Sequence, residues 1–217
     1  MLLIYHAKNV IHTVYFRPGT KRSSQKGNRY WNIPAIRALL ESIITKNILF
    51  LHAILGCDTT SGIYGMGKKL SSSKIKSTSQ FQDQAKVFMS QGASKDDIIT
   101  AGERALVCLY SGDPQHGISV PRYEQFCAKA ATSTMPVQPG ALPPTSASVK
   151  YHSLRVYHQI QERLGVELSS LDWGWKISGT GKLLPIMTDL QPAPQKILEA
   201  VHCGCKSGCG TMRCSWR

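Results

Sequence analysis

The longest apolar run of the chain, residues 48–55, is interrupted only by His52 and ends at Gly56. It is far shorter than the roughly 20 apolar residues that a membrane-spanning helix needs. An apolar run of this length that ends at a glycine is typical of a buried helix. Because 42% of the residues are hydrophobic and only 18% are charged, we expect a globular protein with a modest core and no membrane partner.

Local patterns predict an α/β chain that is mostly helical. Residues 2–5 and 10–16 are rich in β-branched and aromatic side chains, which predicts two short buried strands. Helical spacing and capping residues predict helices over residues 32–45, 48–55, 80–90, 94–110, 121–132 and 151–164. A hairpin is predicted near the end, with residues 172–177 turning at 179–181 into 183–187.

Prolines at positions 136, 139, 143 and 144 predict that residues 132–149 form a linker or an extended segment that follows the surface. This linker would separate a first region, 1–131, from a small helix and hairpin region, 150–201, and from a cysteine-rich tail, 202–217. We also expect poor order in residues 17–29, 71–79 and 132–149 and after residue 203. The chain is therefore predicted to be loosely packed between its helices.

The charge of the chain favours a polyanionic partner. Twenty-six Lys and Arg residues stand against 13 Asp and Glu residues, a net charge of +13. Glu41 is the single carboxylate before residue 58. Metal-dependent nucleases hold Mg²⁺ or Mn²⁺ with several carboxylates, so such a site cannot be complete in the first quarter of the chain.

Residues 51–69, LHAILGCDTTSGIYGMGKK, carry the pattern with the clearest chemical meaning. Spaced glycines let a backbone approach a phosphate closely, and lysines attract that phosphate. The candidate nucleic-acid-binding residues are Gly62, Gly65, Gly67, Lys68 and Lys69. The alternatives are a plain flexible turn at the glycines and, at Asp58, a helix-ending side chain that satisfies loop N–H groups.

This segment resembles the flap-endonuclease branch of the PIN-like nucleases, in which a helix ends in Gly-Cys-Asp-Tyr and a glycine-rich helical hairpin follows. The matching residues are Gly56, Cys57 and Asp58, while Thr59 replaces the tyrosine. The resemblance implies an incomplete, Rossmann-like PIN sheet with helices in residues 1–131. It also implies that Asp58 is the remnant of a catalytic metal ligand and that the hairpin contacts the backbone of DNA.

The order of motifs is also similar to that of uncharacterised mobile-element-like proteins of invertebrates. The shared motifs occupy residues 52–61, 65–68, 152–157, 173–175, 192–194 and 203–214. Those proteins carry an Asp-Thr-Asp-type strand upstream and further cysteines downstream. The resemblance therefore implies that this chain is an internal piece of a longer protein or a decayed copy of one.

The C-terminal cysteines form a candidate zinc site. The four candidate ligands are Cys203, Cys205, Cys209 and Cys214, with His202 as a substitute. Four thiolates complete the tetrahedron that Zn²⁺ prefers. The spacing resembles part of the tesmin-like CXC modules, which bind zinc and DNA. The alternative is a reduced, frayed tail.

Three functions remain as alternatives. The first is nucleic-acid binding without catalysis, with DNA favoured over RNA and a nuclear location within the cell. The second is a metal-dependent nuclease in which Asp58 acts with later carboxylates. Those available are Asp83, Asp96, Asp97, Glu103 and Asp113, and only such an acidic cluster would hold Mg²⁺ or Mn²⁺. The third is a zinc-dependent interaction module built on the tail. We adopt the first as the working hypothesis.

Overall fold

A computed structural model of the chain describes residues 1–7, 12–17, 30–133 and 135–190. The helices are α1 Leu2–His6, α2 Ile33–Leu39, α3 Ser42–Ile54, α4 Lys68–Ser77, α5 Ser79–Met89, α6 Lys95–Leu109, α7 Ser119–Thr132 and α8 Ser146–Arg163. Short 3₁₀ turns lie at Pro139–Ala141 and Ser170–Asp172. The strands are β1 Tyr15–Phe16, β2 Trp31–Asn32, β3 Trp175–Ile177 and β4 Leu183–Pro185. The prediction of a mostly helical chain is therefore confirmed.

The sheets of the described ranges are two separate antiparallel pairs, β1 with β2 and β3 with β4. Trp175 faces Pro185 in the second pair, which confirms the predicted C-terminal hairpin. The predicted strand at residues 2–5 is wrong, because this stretch forms α1. Of the predicted strand 10–16, the described part forms only the two exposed residues of β1. A parallel Rossmann-like sheet is absent from these ranges.

Apolar side chains of α3, α5, α6 and α8 form the core. Phe81, Ala85 and Phe88 are fully buried on one face of α5, at the spacing that helical periodicity requires. Phe50 of α3 packs against both rings of α5, with centroid distances of 5.5 Å to Phe81 and 5.2 Å to Phe88. The core is thus built from helices whose apolar faces are readable in the sequence.

Several helix limits follow local rules. Ser94 caps α6 by accepting a hydrogen bond from the Asp97 amide at 3.1 Å, as predicted from the Ser-x-x-Asp spacing. Asn32 likewise caps α2 through the Ala35 amide at 2.9 Å. The single helix predicted over 32–45 is wrong, because the chain turns at Leu40 and begins α3 at Ser42. Leu39 remains 86% exposed while α3 turns into the core.

Two stretches expected to be poorly ordered form regular structure. Residues 71–77 belong to α4, in which Ser71 and Ile75 are fully buried. The proline-rich stretch 132–149 contains the first turn of α8, and Leu142 within it is buried. Residues Met1–Met187 form one compact unit, so the proline-rich stretch lies within this unit rather than between two. The second unit, Thr188–Arg217, is described only at residues 188–190.

Helix α8 lies in the core although its sequence is polar. Its buried polar side chains are His152, Ser153, Arg155, His158, Gln159 and Gln161. Arg155, 2% exposed, donates hydrogen bonds to the carbonyls of Gly174 and Ile186 at 3.2 and 2.5 Å. Gln161 donates to the carbonyls of Phe88 and Ser90 at 3.0 and 3.2 Å. Because each of these bonds joins α8 to another segment, the polar side chains of α8 fix its neighbours in place.

Helices α6 and α8 approach closely at Gly102. A Cβ atom at this position would lie 1.8 Å from the Ser153 hydroxyl oxygen and 2.6 Å from the Ser153 Cβ. Glycine within a helix normally costs stability relative to alanine. Here it is the residue that allows the two core helices to pack.

Replacing Gly102→Ala is expected to lower the free energy of unfolding by about 1–3 kcal/mol, because the added methyl overpacks the α6–α8 contact. Urea denaturation would compare Gly102→Ala with the double variant Gly102→Ala and Ser153→Gly. The difference shows how strongly the two positions interact. The second change removes the opposing side chain and should restore part of the loss. A stabilised Gly102→Ala variant would show that the helices do not pack in this way.

Candidate nucleic-acid interface

The candidate site begins at Gly56, which follows the last turn of α3, as predicted from the sequence. Gly56 has φ +100°, a conformation that side-chain-bearing residues rarely adopt. The chain also folds back against it. A Cβ atom at Gly56 would lie 2.6 Å from the Gly62 Cα and 2.9 Å from the Ser61 carbonyl carbon. Glycine is therefore required here both by the backbone conformation and by the space available.

Residues 57–60 form a closed turn that follows Gly56. The Cys57 amide donates to the Thr60 carbonyl at 3.2 Å and to the Thr60 hydroxyl at 3.0 Å. The Thr60 hydroxyl in turn donates to the Ala53 carbonyl in the last turn of α3, at 2.7 Å. This buried threonine thus adds a side-chain hydrogen bond to a carbonyl at the helix end that also accepts from the Gly56 amide at 3.3 Å.

Helix α8 holds this turn from the other side. The His152 ring donates through Nε2 to the Ile54 carbonyl at 3.0 Å, and the Thr59 hydroxyl donates to Gln159 Oε1. Because the acceptor at Ile54 is a carbonyl oxygen, Nε2 must carry the proton. Burial lowers the pKa of His152 to about 4, so the ring is neutral near pH 7. The position of the turn therefore depends on polar groups of α8.

Asp58 lies at the exposed tip of this turn. The described ranges contain no group of three or more His, Cys, Asp or Glu side chains that could hold a metal ion. Mg²⁺ and Mn²⁺ sites are built from several oxygen ligands. One carboxylate on an exposed turn does not provide that ligand set, so the residues around Asp58 do not fit a catalytic metal.

The later carboxylates considered as partners for Asp58 mostly have local roles. Asp83 pairs with Lys86 at 2.7 Å, and Asp97 belongs to the cap of α6. Glu103 accepts hydrogen bonds from the Ile118 amide and the Ser146 hydroxyl, at 3.1 and 3.0 Å. Asp113 accepts from the Gln115 amide at 2.9 Å. Asp96 lies in the first turn of α6.

His52 lies beside the candidate site on α3 and is half-buried. Burial and the nearby Lys68 ammonium lower its pKa, and the Asp58 carboxylate opposes them without cancelling their effect. The structure places the ring at the wall of a cavity of about 160 Å³ that Lys68 also lines.

The glycine-rich segment joins α3 to α4, and these two helices pack against each other. We call residues 62–69 the glycine–lysine loop. Cβ atoms placed on Gly62, Gly65 or Gly67 would meet no atom within 4 Å, so one side of the backbone is open. Gly65 has φ +73°, a conformation that favours glycine.

The lysines of this region differ in their partners. Lys74 donates to the Ser111 hydroxyl at 2.8 Å, and Lys76 pairs with Glu41. Lys68 and Lys69 form the first turn of α4 and are exposed, and neither makes a hydrogen bond or ion pair with another described side chain. Gly67 provides no side-chain cap, so the first amides of α4 are available beside these two ammonium groups.

Sequence reasoning missed Tyr64 as part of this surface. Tyr64 is 57% exposed, and its carbonyl accepts a hydrogen bond from the Tyr110 hydroxyl at 3.1 Å. The Lys129 ammonium of α7 lies 5.6 Å from the centre of the Tyr64 ring. Burial raises the pKa of Tyr110 to about 12, so this hydroxyl stays protonated and keeps its hydrogen bond. The loop is thereby attached to α6 and α7.

The predicted zinc ligands Cys203, Cys205, Cys209 and Cys214 and the substitute His202 lie outside the described residues. Among the described cysteines, Cys57, Cys108 and Cys127 are free thiols. The zinc site stays a prediction.

Comparison with protein-family models, with curated proteins and with solved structures finds no match to this chain. None of the described helices combines the length and apolar character that crossing a bilayer requires. The fold and the contacts of the loop are therefore the basis on which a function can be argued.

Replacing Gly56→Ala is expected to lower the free energy of unfolding by roughly 2–4 kcal/mol, because alanine adds both backbone strain and a clash with the facing backbone. Gly62→Ala is the matched control, since its methyl group would enter open space, and should change stability by less than about 0.5 kcal/mol. Urea denaturation measures both. Equal effects would contradict the described turn.

The stability of the chain should fall as the pH drops from about 6.5 to 4. In this range the unfolded chain binds a proton at His152 that the folded chain excludes, so the free energy of unfolding decreases. By pH 5 the loss should be roughly 2 kcal/mol. His152→Gln keeps a donor for Ile54 and should flatten the profile of urea midpoints. An unchanged profile would show that His152 is not buried as a neutral ring.

Proposed function

We propose that this chain binds nucleic acid through the glycine–lysine loop and does not itself cleave it. The observation that carries the proposal is the pair Lys68 and Lys69, exposed at the first turn of α4 beside an open glycine backbone. Ammonium groups attract a phosphate backbone without regard to sequence. The net charge of +13 draws the same polyanion to the rest of the surface.

The geometry of the turn supports binding over cleavage. Asp58 is presented toward solvent, close to the lysines in sequence, but without the further oxygen ligands that a two-metal nuclease uses. A nuclease built on Asp58 would need a set of carboxylates that the described ranges do not bring together. We therefore assign the turn a positional role, in which Gly56 and the α8 contacts fix where the glycine–lysine loop begins.

We further propose that the chain is a transposon-related, PIN-like protein in descent. Support comes from a helix that is followed by Gly-Cys-Asp and then by a glycine-rich loop, the order of motifs that the resemblance implies. Three of the shared motifs, those at residues 52–61, 152–157 and 173–175, also meet in space. Residues 52–61 contact α8 through His152 and Gln159, and the segment of Trp173 and Trp175 contacts it as well. Motifs whose side chains pack together are expected to be retained together in descent.

We favour DNA in the nucleus as the partner, because the chain is basic and because the resemblance implies DNA binding. A zinc-dependent module in the tail would add a second basic surface, to which Lys206 and Arg213 would contribute. It remains a separate proposal, which zinc analysis of the full chain would test.

Replacing Lys68→Ala together with Lys69→Ala should weaken the binding of a labelled DNA duplex of about 20 base pairs, because two phosphate contacts are lost. The slope of log K against log salt should become shallower by about 1–2. Fluorescence anisotropy at about 50–200 mM salt measures both quantities.

The matched control is Lys176→Ala with Lys182→Ala, which removes the same charge from the exposed β3–β4 hairpin. The salt slope of this control should stay close to that of the unaltered chain. If both double variants lose affinity equally, binding is spread over the surface and the loop is not the site. If the unaltered chain binds no nucleic acid, the proposal is wrong.

A further inference from the structure

Helix α7 carries exposed aromatic side chains next to the glycine–lysine loop. Tyr123 is 68% exposed and Phe126 is 45% exposed, and Pro121 is the buried residue of this helix. Such large apolar surface on the outside of a helix marks an interaction site more often than chance. The i,i+3 spacing of the two rings places their Cβ atoms about 5–6 Å apart on one flank of α7.

Helix α7 contacts the glycine–lysine loop through Lys129. Lys129 lies one turn beyond Phe126 and holds its ammonium 5.6 Å from the Tyr64 ring centre. Arg122, one turn before Phe126, reaches the Pro143 carbonyl. The one carboxylate of α7, Glu124, lies on the helix side away from Phe126. Where α7 meets the loop, an aromatic ring and a positive charge thus lie side by side at Tyr64 and Lys129, and Lys68 and Lys69 follow Tyr64 in the same loop.

The chemistry of this surface favours one occupant. An apolar partner protein would bury the rings but would have to desolvate the lysines around them. A DNA duplex would satisfy the lysines but keeps its base faces stacked and leaves the rings exposed to water. A single strand offers both groups at once, because its bases can stack on aromatic rings while its phosphates contact lysines.

We infer that Tyr64, Tyr123 and Phe126 form a stacking platform for the bases of a single-stranded nucleic acid, whose phosphates contact Lys68, Lys69 and Lys129. This inference rests on the proposed function and specifies its substrate class. Every base has an aromatic face, so the platform accepts any sequence. It predicts a preference for single strands over duplexes that the lysines alone would not produce.

The test uses the full chain and labelled oligothymidine and oligouridine of about 20 nucleotides, with a DNA duplex of similar length. Tyr123→Ala with Phe126→Ala should weaken oligothymidine binding by about tenfold or more, since stacking is lost at two positions. Duplex binding should change less than about twofold, because the lysines remain. Comparison of the two single strands distinguishes DNA from RNA as the source of the bases.

Two further variants make the result specific. Tyr123→Leu with Phe126→Leu keeps apolar area but removes the aromatic faces, so it should lose single-strand binding as the alanine variant does. Tyr30→Ala is the matched control, because Tyr30 is 58% exposed and has a cation of its own, Arg17, 5.9 Å from its ring. The control should bind oligothymidine as the unaltered chain does.

The outcomes separate the two proposals. If the alanine or leucine variant binds oligothymidine normally while the Lys68 and Lys69 variant loses binding, the platform is wrong and the proposed function stands. If Tyr123→Ala with Phe126→Ala weakens duplex and single-strand binding equally, stacking is also ruled out. If the unaltered chain binds neither, both proposals fail. A fluorescent base analogue within the strand should be quenched only by the chain with intact rings.

Discussion

The fold depends on the burial of a polar helix, α8. A buried polar group costs free energy unless it finds a partner, so the polar side chains of α8 that bond to other segments require defined positions of those segments. Ser153 meets Gly102 of α6, Gln161 binds the end of α5, and Arg155 binds the segment before and after the C-terminal hairpin. Apolar packing alone would leave these segments free to shift along the helix.

The geometry of the candidate site also depends on α8. His152 binds the end of α3 and Gln159 accepts from Thr59, so α8 fixes both ends of the Gly56–Thr60 turn. The glycine–lysine loop leaves this turn and is attached at its other side by the Tyr110 hydroxyl. A loop held at two points presents its lysines with less loss of conformational entropy on binding. The interior of the protein thereby determines the position of the glycine–lysine loop on its surface.

Much of the helical framework was readable from the sequence because local and global preferences agree there. The limits of α5, α6 and α7 follow from apolar periodicity and from the Ser94 cap. Helix α1 was mistaken for a strand because leucine, isoleucine and tyrosine also suit a sheet, and its packing against α2 and α3 decides the outcome. Helix α4 was missed because only Ser71 and Ile75 of its polar sequence are buried.

The candidate site was predictable only in part. Gly56 and the exposed lysines follow from turn chemistry and charge. The role of α7 does not, because Tyr123 and Phe126 have the spacing of an ordinary core-facing helix, and only the fold shows that they face outward. The contacts of Tyr64 with Tyr110 and Lys129 join residues far apart in the chain, which periodicity cannot reveal.

In the proposed complex, a single strand contacts the glycine–lysine loop and α7 while the core stays unchanged. Hydrogen–deuterium exchange of the full chain with and without oligothymidine tests this most directly. The account predicts added protection in residues 62–70 and 119–132 and none in α2 or in the β3–β4 hairpin. Protection that is spread evenly over the basic surface, or confined to other segments, would contradict it.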